Sequence, residues 1–405
     1  VPIEPFWGEH QGGIVTPAQS HTYFAAFDLT TTKRDDVVSL LRAWTSAAAR
    51  LTVGQTAQPL EEGLKLAAPS ADGDAEAKGD GYEKPDPSAM AADSGEALDL
   101  PPARLTVTFG FGDGLFIKNG QDRYGLASRR PAALVDLPKF AGDQLVEVHT
   151  GGDLSVQACA DDPQIAFHAV RQLARLADGV GRIRWTQIGF LPEFGTKKTP
   201  RNLMGFKDGT NNPSVEDPEA TEKFVWVGDE GPGWMRGGSY LVVRRIRIAL
   251  EHWDRMKVEF QEETIGRHKY SGAPLGKTNE FDALDLDATD KDGNPIIAEN
   301  AHTRLAAAAS NEGAQILRRP YSYNDGVNFT AERWPPWRQG LEYDAGLFFL
   351  AYQRDPRTGF IKIYDRMSKF DMMNQFVTHV GGGLFACPRG PAEGEFIGQH
   401  LLEVA

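Results

Sequence analysis

Two ten-residue runs, LSVQACADDP from Leu154 and LFFLAYQRDP from Leu347, place Leu, Ala, Asp and Pro at identical offsets. Each reads as a strand that ends in Asp-Pro ahead of a helix-like segment, and each follows a glycine-containing turn or loop. The chain has 405 residues, more than one hydrophobic core usually fills. Repeat and length together predict two related α+β domains. We place them at residues 1–200 and 201–405, joined near Thr199 to Gly205.

The elements around the first repeat fit that expectation. From Asp35 to Leu51, DDVVSLLRAWTSAAARL puts Val37, Leu40, Leu41, Trp44, Ala48 and Leu51 on one helical face. Leu105 to Phe111 alternates like a strand. A further strand is predicted around Asp153 to Ala160, then a helix from about Pro163 to Ala177 with Ile165, Ala169, Val170, Leu173 and Leu176 inward. Strands mixed with one-sided helices, without a regular βαβ beat, predict an α+β fold with largely antiparallel sheets. The stretch from about Ala67 to Pro102 is rich in Ala, Asp, Gly and Pro and poor in bulky apolar side chains. It cannot bury enough surface to offset its ordering entropy, so most of it is expected to be a solvated insertion without chemistry.

Composition excludes several function classes. A net charge of -13 argues against nucleic acid as a general partner, while leaving room for local basic pockets around an anionic cofactor. No run of apolar residues is long enough to span a membrane. Two cysteines are too few for a disulfide framework. Cys159 and Cys387 each sit in an apolar run and are expected to be buried free thiols. No CxxC or Cys/His cluster exists for a thiolate metal site.

Two stretches hold residues that could carry chemistry. In NLMGFKDGTNNPSVEDP, from Asn202 to Pro218, Asp208 taken alone reads as a turn residue. Loops on a rigid scaffold are also where reactive groups are displayed. In AHTRLAAAASNEGAQILRRPYSYNDG, from Ala301 to Gly326, His302 taken alone reads as a hydrogen-bonded structural residue. ILRRPYSY sets Arg318 and Arg319 between bulky apolar residues and two tyrosines. At least one guanidinium should therefore lie near buried surface and need an anionic partner.

These segments, together with GEHQGGIVTPAQ, LTVTFGFG, VWVG, GGSYLVVRRIRI, IGRHKYSGAPLG, GLFFLAYQ and GGGLFACP, resemble the dye-decolourising peroxidases, in their bacterial EfeB-like (deferrochelatase/peroxidase) branch. The similarity covers nearly the whole chain and is poorest over Ala67 to Pro102. The resemblance implies two ferredoxin-like domains with antiparallel sheets flanked by helices, and heme b (iron protoporphyrin IX) bound in the C-terminal one. It implies His302 as the proximal iron ligand, Asp208 as the distal aspartate and Arg318 as the distal arginine. Leu347 and Phe349 would cap the distal pocket, and Gly209, Thr210 and Asn211 would run against the porphyrin. Asp371 would partner the far ring nitrogen of His302. Relatives carry Asn-Pro-Arg after the proximal histidine where this chain reads Ala-Ala-Ala-Ala-Ser, so Arg304, Arg319 and Arg333 all stand as candidates for the haem propionates. Pro320 occupies a position that holds an asparagine in other branches. The resemblance also implies export, by the twin-arginine route, to the cell envelope or beyond.

The residue types suit peroxide chemistry. A neutral imidazole can ligate iron through one nitrogen while the other is held by a hydrogen bond. On the opposite face a carboxylate can carry peroxide's proton. A guanidinium stays charged and serves electrostatically. The expected function is therefore a haem peroxidase that takes hydrogen peroxide as oxidant and dyes, phenols or similar small-molecule reductants as electron donors. A haem-handling protein that releases iron is the alternative, and a haemless interaction domain a distant third. No Trp or Tyr is singled out as an electron relay.

Overall fold

The structure, a computed structural model, describes residues 2–60, 91–192, 198–331 and 339–403. Nine strands are present among them: β1 (His21–Leu29), β2 (Thr106–Phe111), β3 (Leu154–Ala160), β4 (Gly181–Phe190), β5 (Ser239–Ile248), β6 (Leu317–Arg318), β7 (Tyr321–Ala331), β8 (Gln339–Gln353) and β9 (Val377–Cys387). The helices include α1 (Arg34–Leu51), α2 (Pro163–Leu176), α3 (Pro218–Phe224), α4 (Leu250–Trp253), α5 (Val258–Ile265), α6 (His302–Ala306) and α7 (Phe360–Phe370). Every ladder between these strands is antiparallel, as the α+β reading requires.

In the first half the strands lie in the order β2-β3-β1-β4. In the second half β9, β5, β8 and β7 follow one another through their pairings. With the two-residue β6 set aside and the second half read from β7, both orders are 2-3-1-4, so the repeat seen at Leu154 and Leu347 marks equivalent strands, β3 and β8. Each leads into its helix, α2 and α7. The two sheets touch at both edges, through Phe190 with Ser322 and Phe111 with Ala386. The strands thereby close into a ring.

The helices form because their apolar residues fall on one face. On α1, all six residues assigned inward are buried, and α2 is opened by Asp162, whose carboxylate accepts from the Gln164 and Ile165 amides. Both helices pack on the outer face of the first sheet, where Trp44 joins Phe27 and Phe109. The inner faces of the two sheets meet in a shared core that includes Phe24, Trp185, Leu241, Phe348 and Phe385. Cys159 and Cys387 are both buried there as free thiols. Behind the second sheet lie α5, α6 and α7, and the space between that sheet and these helices is incompletely filled.

Three expectations need adjustment. Residues 67–90 of the low-complexity stretch, and Arg333, lie outside the described residues. The described end of the stretch is not wholly solvated: Asp93 is buried, and it and Glu96 bracket His168 of α2. Arg319 is buried as anticipated, but its partners are the Thr16 carbonyl and the Gln19 side-chain oxygen. Arg318 is the member of the pair that meets an anion, Asp208.

Candidate active site

Between the second sheet and its helices is a cavity of about 960 Å³ whose lining runs from Asn202 to His379, all within the second half of the chain. Its walls are largely apolar, with Ile246, Ile248, Leu347, Phe349 and Val377 from the sheet and Ile265, Ile363 and Met367 from the helices. All of the sequence-predicted site residues border it: Asp208, Gly209, Thr210, Asn211, His302, Arg318, Leu347, Phe349 and Asp371.

On one side stands His302, the first residue of the short helix α6. Its Nδ1 lies 2.7 Å from Asp371 Oδ2, which leaves Nε2 as the nitrogen available to a ligand. Asp371 ends α7 and is itself buried, and its other oxygen accepts from the Met373 amide at 2.8 Å. Burial of His302 opposes its protonation, but the charge and hydrogen bond of Asp371 outweigh it and raise the imidazole pKa. An imidazole so held is oriented and electron-rich, which is what a metal ligand needs.

The same cavity is lined by Asp208 and Arg318, with Arg318 Nη1 donating to Asp208 Oδ1 at 2.5 Å. Asp208 is placed by its loop: its amide donates to the Pro200 carbonyl, and Gly209 adopts φ +122, a conformation that a side chain strains. The loop is fastened on one side by Glu280, which pairs with Lys207 and accepts from Thr210 Oγ1 at 3.1 Å. Burial works to raise the Glu280 pKa, but Lys207 and the hydrogen bonds bring it below the usual value. Arg318 reaches the cavity from β6, where Leu317 turns the opposite way into the shared core. Leu347 and Phe349 alternate with buried Phe348 along β8, so both face the cavity.

Sequence reasoning missed Asn212 and Glu280. Asn212 donates through Nδ2 to the Arg318 carbonyl at 2.6 Å and accepts from the Arg318 amide at 3.0 Å. The only signal in the sequence was a second amide beside Asn211. Two proposed propionate partners do not reach the cavity. Arg304 donates to the carbonyls of Ile297 and Leu286, and Arg319 is spent near Thr16 and Gln19. The cations that do line the cavity are Lys207, Arg267, Lys277 and Arg318.

The arrangement fits a flat, mostly apolar macrocycle carrying a metal. The cavity is at the large end of ligand sites, its walls are greasy, and its polar groups include two separate hydrogen-bonded pairs. One pair offers a single imidazole nitrogen. The other offers a proton carrier beside a fixed positive charge.

The family model "Dyp-type peroxidase, N-terminal" matches residues 11–191 and "Dyp-type peroxidase, C-terminal" matches residues 199–392. The chain is 37% identical to a dye-decolorizing peroxidase of Thermobifida fusca, over 97% of this chain and 84% of that protein. It is 34% identical to a deferrochelatase of Escherichia coli K12, over 99% of this chain and 88% of that one. Among solved structures, ferric DtpA from Streptomyces lividans superposes with a TM-score of 0.83 at 38% identity, covering 100% of this chain and 98% of that chain. A DyP-type peroxidase from Streptomyces coelicolor gives 0.84 at 38% identity, covering 100% and 98%. With both halves matched and relatives above a third identical along nearly its full length, the chain belongs to the Dyp-type peroxidase family.

Proposed function

We infer that the protein is a haem-dependent peroxidase that reduces hydrogen peroxide and oxidises dyes, phenols or similar reductants. The observation that carries this reading is that one largely apolar cavity is lined by both the His302–Asp371 pair and the Asp208–Arg318 pair. Haem supplies the iron that exchanges electrons with peroxide and with the reductant. His302 would hold that iron through Nε2, with Asp371 fixing the ring. Asp208 Oδ1 or Oδ2 would take the proton from one peroxide oxygen and return it to the other. Arg318 would stabilise the negative charge that grows as the O–O bond lengthens. Leu347 and Phe349 would keep bulk water and large molecules off that face.

Heme b is the form we propose. Neither cysteine lines the cavity, since both lie in the core between the sheets, so covalent attachment through a thioether has no partner here. We further propose that the halves are two ferredoxin-like domains, residues 1–200 and 201–405, with haem in the second. The common strand order and the confinement of the cavity lining to Asn202–His379 support this. Export by the twin-arginine route belongs to the same proposal, and fractionation of the producing cells tests it.

The decisive experiment is spectroscopy of wild type and His302→Ala mixed with haem, before and after peroxide. Wild type is expected to develop a Soret band that peroxide perturbs and a reductant restores. His302→Ala should lose that band or shift it strongly. Consumption of the reductant identifies a peroxidase, whereas iron-free porphyrin as product would select the iron-releasing alternative.

A further inference from the structure

We propose that Asn212 is a positioning residue for the peroxidase reaction: its side-chain amide sets the register of Arg318 against Asp208. The inference rests on the proposed function and goes beyond it. The geometry begins with how little backbone holds Arg318. It sits on a strand of two residues, Leu317–Arg318, paired with β8 at Tyr352 and Ala351. Two residues later comes Pro320, which has no amide to donate. The Arg319 amide bonds to the Leu350 carbonyl, so the amide and carbonyl of Arg318 face the other way, away from β8.

Asn212 fills that outer edge. It accepts from the Arg318 amide at 3.0 Å and donates to the Arg318 carbonyl at 2.6 Å, as a neighbouring strand would. Only a carboxamide offers one donor and one acceptor side by side, and the two backbone partners fix which end is oxygen. The Asn212 backbone N–H in turn donates to the Gly209 carbonyl at 3.0 Å, which ties the backbone that carries this side chain to the Asp208 loop. One five-residue loop therefore grips Arg318 twice: Asp208 holds its guanidinium and Asn212 its backbone. The first contact alone would let arginine swing with the carboxylate. Both together fix where the guanidinium stands over the cavity.

A residue that merely satisfied edge backbone groups would matter equally whatever side chain position 318 carried. A positioning residue matters only while the guanidinium is there to be positioned. The test is a double-mutant cycle on haem-loaded protein, comparing wild type, Asn212→Ala, Arg318→Leu and the double variant. Each ferric protein is titrated with fluoride, a small anion that on the iron accepts a hydrogen bond from a correctly placed arginine. Asn212→Ala is expected to weaken fluoride binding about ten-fold. In the Arg318→Leu background the same change should weaken it no further. Wild-type affinity in Asn212→Ala, or the same loss in both backgrounds, overturns the proposal. Should Asn212→Ala not fold, Asn212→Asp keeps the acceptor and loses the donor, and is judged in both backgrounds by the same criterion. A wild-type protein without a Soret band would remove the haem reading itself and this inference with it. A Soret band without coupling removes only the inference.

Discussion

Each of the two polar pairs in the cavity depends on one carboxylate, and the partners differ: an imidazole for Asp371 and a guanidinium for Asp208. Asp371 is buried and bonded to His302, so its charge works through the imidazole. Asp371→Asn keeps an acceptor near Nδ1 but removes the charge, and His302 should remain the ligand while donating less electron density. The reduction midpoint of the bound iron is then expected to rise, by tens of millivolts or more, with the Soret band retained. Spectroelectrochemistry measures this, and an unchanged midpoint would mean that Asp371 only orients the ring. His302, Asp208 and Arg318 were legible in the sequence because their surroundings, GFKDG, AHTRLA and ILRR, are specific in combination. Asn212 was not, because its work is on another residue's backbone, which no local pattern reveals. Arg304 and Arg319 stood as open candidates for the propionates for a related reason: a guanidinium's charge shows in sequence, but its hydrogen bonds to nearby carbonyls do not.

Among the elements, helices were the easiest to read, since a one-sided apolar face needs only the chain's own spacing. Strand partners were not, because register depends on residues far away, such as Arg318 with Ala351 or Tyr23 with Ala158. The end of the low-complexity stretch shows the same limit. Polar composition suggested solvent, yet Glu96 docks onto α2, 3.0 Å from His168 Nδ1 and 3.1 Å from Arg171. Burial alone would raise the Glu96 pKa. Hydrogen bonds from Ser94 and its own amide, together with His168, outweigh this and bring it from 4.5 to about 2. A carboxylate with a depressed folded-state pKa stabilises the fold above its unfolded value and loses that contribution as pH falls. Glu96→Gln should therefore destabilise the protein by at most about 3 kcal/mol at neutral pH. The gap in Tm between wild type and variant should narrow as pH is lowered from about 4.5 toward 2. Thermal melts across that range check it, and a gap that stays constant would contradict the linkage.

At the scale of the whole molecule, the two halves repeat one strand order yet do not each own a complete core. The inner faces of both sheets share theirs: Phe348 of the second half has its ring 5.6 Å from Phe24 and 6.5 Å from Trp185 of the first. The N-terminal segment adds a strap, with Gln11 donating both to Phe109 in the first half and to Pro388 in the second. The strand ring closes at both sheet edges. Chains of this size with two repeated units often unfold in separate steps. Here, unfolding either half would expose the inner face of the other sheet, so the halves should lose structure together. We therefore expect one calorimetric transition, with loss of the Soret band, which on the proposed haem site reports the second half, coincident with loss of hydrogen-exchange protection in α1 and α2, which report the first. Phe348 is fully buried, and Phe348→Ala should cost roughly 3–5 kcal/mol. Because its ring contacts residues of both halves, the variant should lower both signals by the same number of degrees. A variant in which the Soret signal melts earlier while α1 and α2 keep their protection would show that the first half stands by itself, and that the shared core is a contact between domains and not the centre of one folding unit.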